Sequence, residues 1–458
     1  MNLLTELKII TFGNILRIII LLFTPKIMTS IFSPVQMGKY YLIIASLSLA
    51  SLFLINPIGI YVSRNTINWL NDKTLESRLR SLSFKLFPIL ILLLAIIYLV
   101  ANKLFNVEES YSIELITLLF LVLVFKTNNE TYSSSLNILN KRIPFIFSQT
   151  LTPFLTILFL LIFNFFDRDN VSIWFLSLLI SNTLIFIYLL NFLKKLELNK
   201  KFKWPKRNLI SFSSPLILSN LFMWFVFEGY RFILEKKIDP VEFGVFVVGF
   251  GLASQIISSL DSIYSQYLGP YLTNWMTGNN LEIRHKKIDD FLLLTISVYS
   301  IGLILILIFS EYIFNILIDE KFSNGLIFFK AGLFFEFFKA MTNQIKSIGY
   351  SENNNNYTFI GYLIGGITFY ILYLYDSYSF QTILVISSII VFVFSSLLMN
   401  KLIKTPKLFL FTTVIVLYSL SELVFFNFNS IILQFFVLII LCVSTLILNK
   451  DLFNKLIK

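Results

Sequence analysis

Apolar runs follow one another along the whole chain, separated by short polar gaps. A helix needs about 20 mostly apolar residues to cross the hydrocarbon of a bilayer. The pattern predicts fourteen such spans, at 9–31, 40–62, 84–101, 113–139, 143–166, 171–193, 209–233, 244–268, 291–309, 326–348, 357–375, 382–403, 408–427 and 430–449. No gap between them is long enough for a soluble domain, and the run Asn353–Asn356 reads as a polar loop. The first run is expected to be a span and not a cleaved leader. It contains Arg17 and Lys26, lacks a small-residue cleavage site and leads straight into the next span.

Composition strengthens this picture. Of 458 residues, 57% are hydrophobic and 14% charged, and the mean hydropathy is +0.80. A soluble domain carries roughly 25% charged residues, so this chain cannot cover a water-facing surface. A cytosolic enzyme, a secreted disulfide scaffold and a nucleic-acid-binding domain are excluded. The single cysteine, Cys442, excludes disulfides, and the single histidine, His285, excludes a histidine-rich metal cluster. No phosphate-binding glycine loop, zinc-protease motif or nucleophile elbow is present. The chain is therefore read as a non-enzyme with no cofactor.

The net charge of +11 hints at nucleic acid, but the lysines and arginines sit in the gaps between spans. With both termini on one side, the loops of that side and the span ends beside them (Lys85, Lys346 and Lys401) hold 25 lysines and arginines, and the opposite loops hold 6. The positive-inside rule makes the richer side cytoplasmic. The densest basic segment, Lys194 to Arg207, lies near mid-chain.

The chain also resembles itself at a shift of 206 residues. Pro34-Val35 falls on Pro240-Val241, Gly38 on Gly244, Ser48 on Ser254 and Tyr61 on Tyr267. Asn68-Trp69 falls on Asn274-Trp275, and Leu75-Glu76-x-Arg78 on Leu281-Glu282-x-Arg284. Self-similarity at a fixed period marks duplicated units. Six spans per copy preserve direction, so the repeat is parallel, with its axis along the membrane normal. The expected fold is an all-α integral membrane protein. Its parts are an N-lobe at 1–193 (spans 1–6), a basic linker at 194–208, a C-lobe at 209–403 (spans 7–12), and an added hairpin with a tail at 404–458.

Apart from those span ends, six cations fall inside spans: Arg17, Lys26, Lys126, Arg231, Lys330 and Lys339. They occupy spans 1, 4, 7 and 10, which the repeat relates in pairs. Apart from Glu114 at a span end, the acids inside spans are Glu130, Glu228, Asp261, Glu336 and Glu422. A charge at mid-bilayer costs at least about 2.5 kcal/mol, so such residues line wet cavities, pair, or reach an interface. Lys126, Glu130, Ser133 and Asn137 share one helix face, as do Glu336, Lys339, Asn343 and Ser347, and as do Asn220, Trp224, Glu228 and Arg231. Span 8 adds Asp261 with Ser265, and Gln255 with Ser262. Two readings stand side by side. These stripes line a central cavity of net positive charge that draws anionic cargo, or Lys126–Glu130, Glu228–Arg231 and Glu336–Lys339 pair within their own helices. Apart from Glu422, all these charges are candidate substrate-binding residues. Arg17 has no acid within four residues, so its counter-charge is either an anionic ligand, which makes it the best phosphate candidate, or Asp261 or Glu228. Asn, Gln, Ser and Trp in such a cavity suit sugars. Glu422 is expected to be structural or interfacial.

The segment Ile31-Phe32-Ser33-Pro34-Val35-Gln36-Met37-Gly38-Lys39-Tyr40-Tyr41 after span 1 resembles the opening of polysaccharide flippases. Ile238-Asp239-Pro240-Val241-Glu242-Phe243-Gly244 is similar, as is Ile316-Leu317-Ile318-Asp319-Glu320-Lys321-Phe322, with Asp319 where those proteins have glycine. The resemblance is to the Wzx-type O-antigen and capsule repeat-unit flippases of the multidrug/oligosaccharidyl-lipid/polysaccharide exporter superfamily. It implies a V-shaped bundle working by alternating access in the bacterial inner membrane. The implied cargo is an undecaprenyl-pyrophosphate-linked oligosaccharide, moved from the cytoplasmic to the periplasmic leaflet. Coupling to a proton or sodium gradient, and a polysaccharide polymerase complex as partner, are further implications. The alternatives are a multidrug cation antiporter of the same fold, for which an acid-dominated cavity would be expected, a lipid II flippase, and a non-transporting membrane scaffold.

Overall fold

Ser33 and Asp239 start two helices in the same way. Each side-chain oxygen accepts a bond from backbone N–H groups of the first turn, and a proline follows at once. Proline suits the first helical position, where its missing N–H would have had no partner. At Ser33 the cap is reciprocal: the Gln36 Oε1 accepts from the Ser33 N–H at 2.7 Å. The expected 206-residue repeat matches these two positions.

The structure is a computed structural model and describes residues 3–83, 113–139, 141–166, 171–194, 206–276, 281–351, 358–375 and 379–399. Spans 84–101, 408–427 and 430–449, with Glu422 and Cys442, lie outside the described residues, as does most of the basic linker. Every expected span inside them is helical. The helices are α1 (Leu3–Ile31), α2 (Pro34–Ala50), α3 (Asn56–Asn71), α4 (Ile113–Ile138), α5 (Arg142–Asn164), α6 (Ser172–Lys194), α7 (Lys206–Phe227), α8 (Tyr230–Glu235), α9 (Pro240–Met276), α10 (Leu281–Ile308), α11 (Ser310–Leu317), α12 (Leu326–Ser351), α13 (Thr358–Tyr375) and α14 (Phe380–Met399). Among the described residues, seven helical stretches are long and apolar enough to cross a membrane. The shorter Phe359–Tyr375 and the bent pair α2–α3 add to them. The two 26-residue helices α4 and α12 are not among the seven. The expected repeat pairs them, and they carry two of the charged stripes.

Span 2 and span 8, which the expected repeat matches, differ in shape. Span 2 is not one straight helix: a π-helical turn, Ser51–Ile55, joins α2 to α3, and the axis bends by 46°. Pro57 causes the break, since it has no N–H to give the preceding turn and its ring crowds that turn's carbonyl. The expected repeat sets Ile263 at the matching position, and α9 runs unbroken for 37 residues.

The chain divides into two compact units, Met1–Trp224 and Phe225–Lys458. In the first, α5 packs on α1 and α6, and α4 packs on α6. The side chains of α7 hold the break in span 2. Asn220 Nδ2 donates to the Leu52 carbonyl of the π turn at 2.8 Å, and Trp224 Nε1 donates to the Ala45 carbonyl at 2.9 Å. In the second unit, α12 packs on α9 and α14. Small residues permit this: a Cβ on Gly249 would lie 2.7 Å from the Gly325 carbonyl oxygen, and one on Gly332 would lie 3.0 Å from Ala253 Cβ. The rest of that interface is aromatic, with Phe246 stacked on Phe250 at 4.5 Å and Phe335 edge-on to Phe250 and Tyr230.

Candidate functional site

A cavity of about 250 Å³ opens in the first unit among α1, α4, α5 and α6. Arg17 projects from α1, Lys126 and Glu130 from α4, Gln149 from α5, and Trp174 and Asn182 from α6. Lys126 and Glu130 are one turn apart, 4.0 Å between charged atoms, and both are more than half exposed. That pair is loose and stays hydrated. A proline in each of two walls shapes the site: Pro153 in α5 cannot donate to the Gln149 carbonyl, and Pro25 in α1 cannot donate to that of Leu21. Gln149 and Leu21 both line the cavity.

Polar groups in the wall are mostly spoken for. Asn129 Nδ2 donates to the Asn182 carbonyl at 2.8 Å, Thr156 and Ser181 hydroxyls meet at 2.7 Å, and those of Ser133 and Ser148 at 2.9 Å. Two atoms are exceptions. The Trp174 Nε1 donor and the Asn129 Oδ1 acceptor are buried without a hydrogen-bond partner, and both residues line the cavity. Buried polar atoms are nearly always satisfied, so each orphan calls for an explanation. A second chamber of about 400 Å³ lies beside the π turn and is lined by Ser51, Asn56, Ser63 and Ser134. Glu130 lines both chambers.

The second unit gathers charge differently. Arg231 meets Glu228 at 2.5 Å, Lys339 meets Glu336 at 3.1 Å, and Lys339 also reaches Glu228 at 3.6 Å. Four expected site residues thus form one compensated network where α7 passes into α8 and faces α12. The pairs expected from i,i+3 and i,i+4 spacing all form, and the link between Lys339 and Glu228 adds a tertiary bond that spacing could not disclose. Asp261 on α9 stands apart. Its Oδ1 accepts from Tyr299 Oη at 2.6 Å and from Gln344 Nε2 at 2.7 Å. Lys26 lies further along α1 and is half-buried, and Lys330 is half-buried in the second turn of α12. Neither lines the chambers described.

Asn220 and Trp224, expected beside Glu228 and Arg231 on one polar stripe, are buried and bonded to α2 and the π turn, so they brace a helix break. Sequence reasoning missed Lys346. It is 4% exposed inside α12, its Nζ 4.1 Å from the centre of the Tyr362 ring. Its place near the end of an apolar run gave it the look of a loop-side charge.

No protein-family profile and no curated protein matches the sequence. Solved structures do match in shape. The lipid II flippase MurJ in an inward closed conformation superposes with a TM-score of 0.64 at 14% identity, covering 99% of this chain and all of that one. The eukaryotic MATE transporter AtDTX14 gives 0.58 at 13% identity over 90% of this chain and 98% of its own. A mutant of the Vibrio cholerae MATE transporter VcmN gives 0.56 at 11% identity over 88% and 96%. At these identities the likeness is one of fold. The chain has the all-helical fold of around 14 helices shared by MurJ and the MATE transporters.

Proposed function

We propose that the protein is a flippase for a lipid-linked oligosaccharide, carrying an undecaprenyl-pyrophosphate-linked repeat unit across the inner membrane by alternating access. The cavity of the first unit is the observation that carries this reading. Arg17 and Lys126 come from different helices and outnumber the one acid, Glu130. An arginine fork is matched to pyrophosphate oxygens. The unsatisfied indole N–H of Trp174 and the Asn129 Oδ1 are one donor and one acceptor of the kind a sugar hydroxyl satisfies. Ligand pockets run to about 300–1,000 Å³. At about 250 Å³, this cavity holds the pyrophosphate and its first sugar, not a whole oligosaccharide.

The fold shared with a lipid II flippase and with MATE transporters supports a transporter and leaves the cargo to the cavity's chemistry. A cation antiporter needs a cavity dominated by acids, and this one has more cations. The test is complementation of a strain lacking its own O-antigen or capsule flippase. The wild-type protein restores surface polysaccharide, and Arg17→Ala and Lys126→Ala lose it at equal expression. Full polysaccharide from both variants would refute the reading, and so would drug efflux by the wild type with no effect on polysaccharide.

A further inference from the structure

The second chamber, of about 400 Å³, has a wall unlike that of the first. The π turn and α3 supply Ser51, Asn56 and Ser63, and α4 supplies Glu130, Thr131 and Ser134. Among the described residues that line it, none is a lysine or an arginine. Its volume falls in the range of ligand pockets, about 300–1,000 Å³. The hydroxyls of Ser63 and Ser134 meet at 3.0 Å, from α3 to α4. One donates to the other, so the pair keeps one O–H to give and lone pairs to receive. Asn56 adds an amide, which both donates and accepts. Ile55 and Ile60 give the wall apolar ground between these groups.

Short donors and acceptors set among apolar side chains match a ligand with many hydroxyls and apolar C–H faces. A sugar ring is such a ligand. Charge narrows the class. The Glu130 carboxylate lines both chambers. It accepts from hydroxyl hydrogens and repels a second carboxylate. The cations that offset it, Arg17 and Lys126, line the first cavity and not this chamber. We propose that the second chamber is a sugar subsite, selective for an uncharged ring over a uronic acid. It takes the sugar that follows the one held with the pyrophosphate, and Glu130 stands between the two. That place in a lipid-linked chain rests on the flippase reading, but the preference for an uncharged ring does not.

Gly59 allows the chamber to be filled without disturbing the fold. It lines the chamber, and a Cβ there meets nothing within 4 Å. A leucine at this position extends into open space instead of into a packed neighbour. Asn56 is exposed and also lines the chamber, so a lysine there brings a cation into the wall.

The test uses the purified full-length chain in lipid nanodiscs and fluorescent short-chain polyprenyl pyrophosphates. One probe carries N-acetylglucosamine alone, and the others extend it with either glucose or glucuronic acid. Fluorescence anisotropy reads binding. The wild type should bind the glucose-ended probe about tenfold more tightly than the glucuronate-ended one, or better, since opposed like charges cost at least that factor. Gly59→Leu should unfold at the wild-type temperature and bind the single-sugar probe as the wild type does. It should bind the glucose-ended probe more weakly than the wild type does. Asn56→Lys should shrink the preference against glucuronate. Equal affinity of the wild type for both disaccharides, as a chamber that only holds water would give, overturns the proposal. Unchanged binding of every probe by Gly59→Leu overturns it too. Transport in vesicles separates the two readings. If the preference holds in nanodiscs and no probe crosses the bilayer, the flippase reading fails and the sugar subsite stands. If both disaccharides cross and bind equally well, the subsite fails and the flippase reading stands.

Discussion

Trp174 keeps its indole N–H buried with no acceptor, and a donor left so costs about 1–3 kcal/mol. Trp174→Phe removes the donor and keeps most of the ring. The variant should be as stable as the wild type or more so, while surface polysaccharide in the complemented strain falls. A purely structural tryptophan would give the opposite pair of results. Glu228 poses the converse case. It holds Arg231 and Lys339 together, and their side chains are 6% and 19% exposed. Breaking a buried pair by removing one partner typically costs about 3–5 kcal/mol. Glu228→Gln should cost about 3 kcal/mol, the low end of that range, because Lys339 keeps Glu336. The double variant Glu228→Gln, Arg231→Met should recover part of the loss. Thermal unfolding in detergent reads both, and an equal or larger loss in the double variant would contradict the network.

At the level of elements, the break in span 2 and the close approach of α9 to α12 come from single residues. The Leu52 carbonyl in the π turn is satisfied by Asn220 of α7. Asn220→Leu leaves it dry, which should destabilise the protein by about 1–3 kcal/mol. Pro57→Ala should straighten the α2–α3 bend, read as a longer distance between spin labels on the two helices. π turns inside helices recur at functional sites, and the second chamber opens on this one, so the straightened variant should also lose transport. On the other side, Gly249 cannot carry a side chain, since Gly325 and Phe328 occupy the space. Gly249→Val should cost about 1–3 kcal/mol by overpacking and lower the yield of folded protein. Replacement of the half-buried Gly59, where a Cβ meets nothing within 4 Å, should be tolerated.

At the scale of the whole molecule, the spans were legible because two signals agree: apolar length fixes where a helix can cross, and the basic gaps fix where it cannot. The expected repeat rests on polar landmarks, and two positions it matches, Ser33-Pro34 and Asp239-Pro240, each cap a helix. Arg17, Lys126 and Glu130 were identified as cavity residues by their cost in lipid, and they do line one cavity. The bond from Lys339 to Glu228, the burial of Lys346 and the bracing role of Asn220 were not legible, since each depends on which helix faces which. Orientation is a further property that sequence alone predicts, from 25 basic residues against 6. Cys442 is the one cysteine, so a Cys442→Ser background lets introduced cysteines report sidedness. Cysteines at Asn199 in the basic segment and at Lys73 after α3 should react only from the cytoplasmic face. One at Asp239, before α9, should react only from the opposite face. The same side for Lys73 and Asp239 would contradict an odd number of crossings between them. It would then also undo the parallel repeat, because six spans per copy are what give the two matched segments one direction through the membrane.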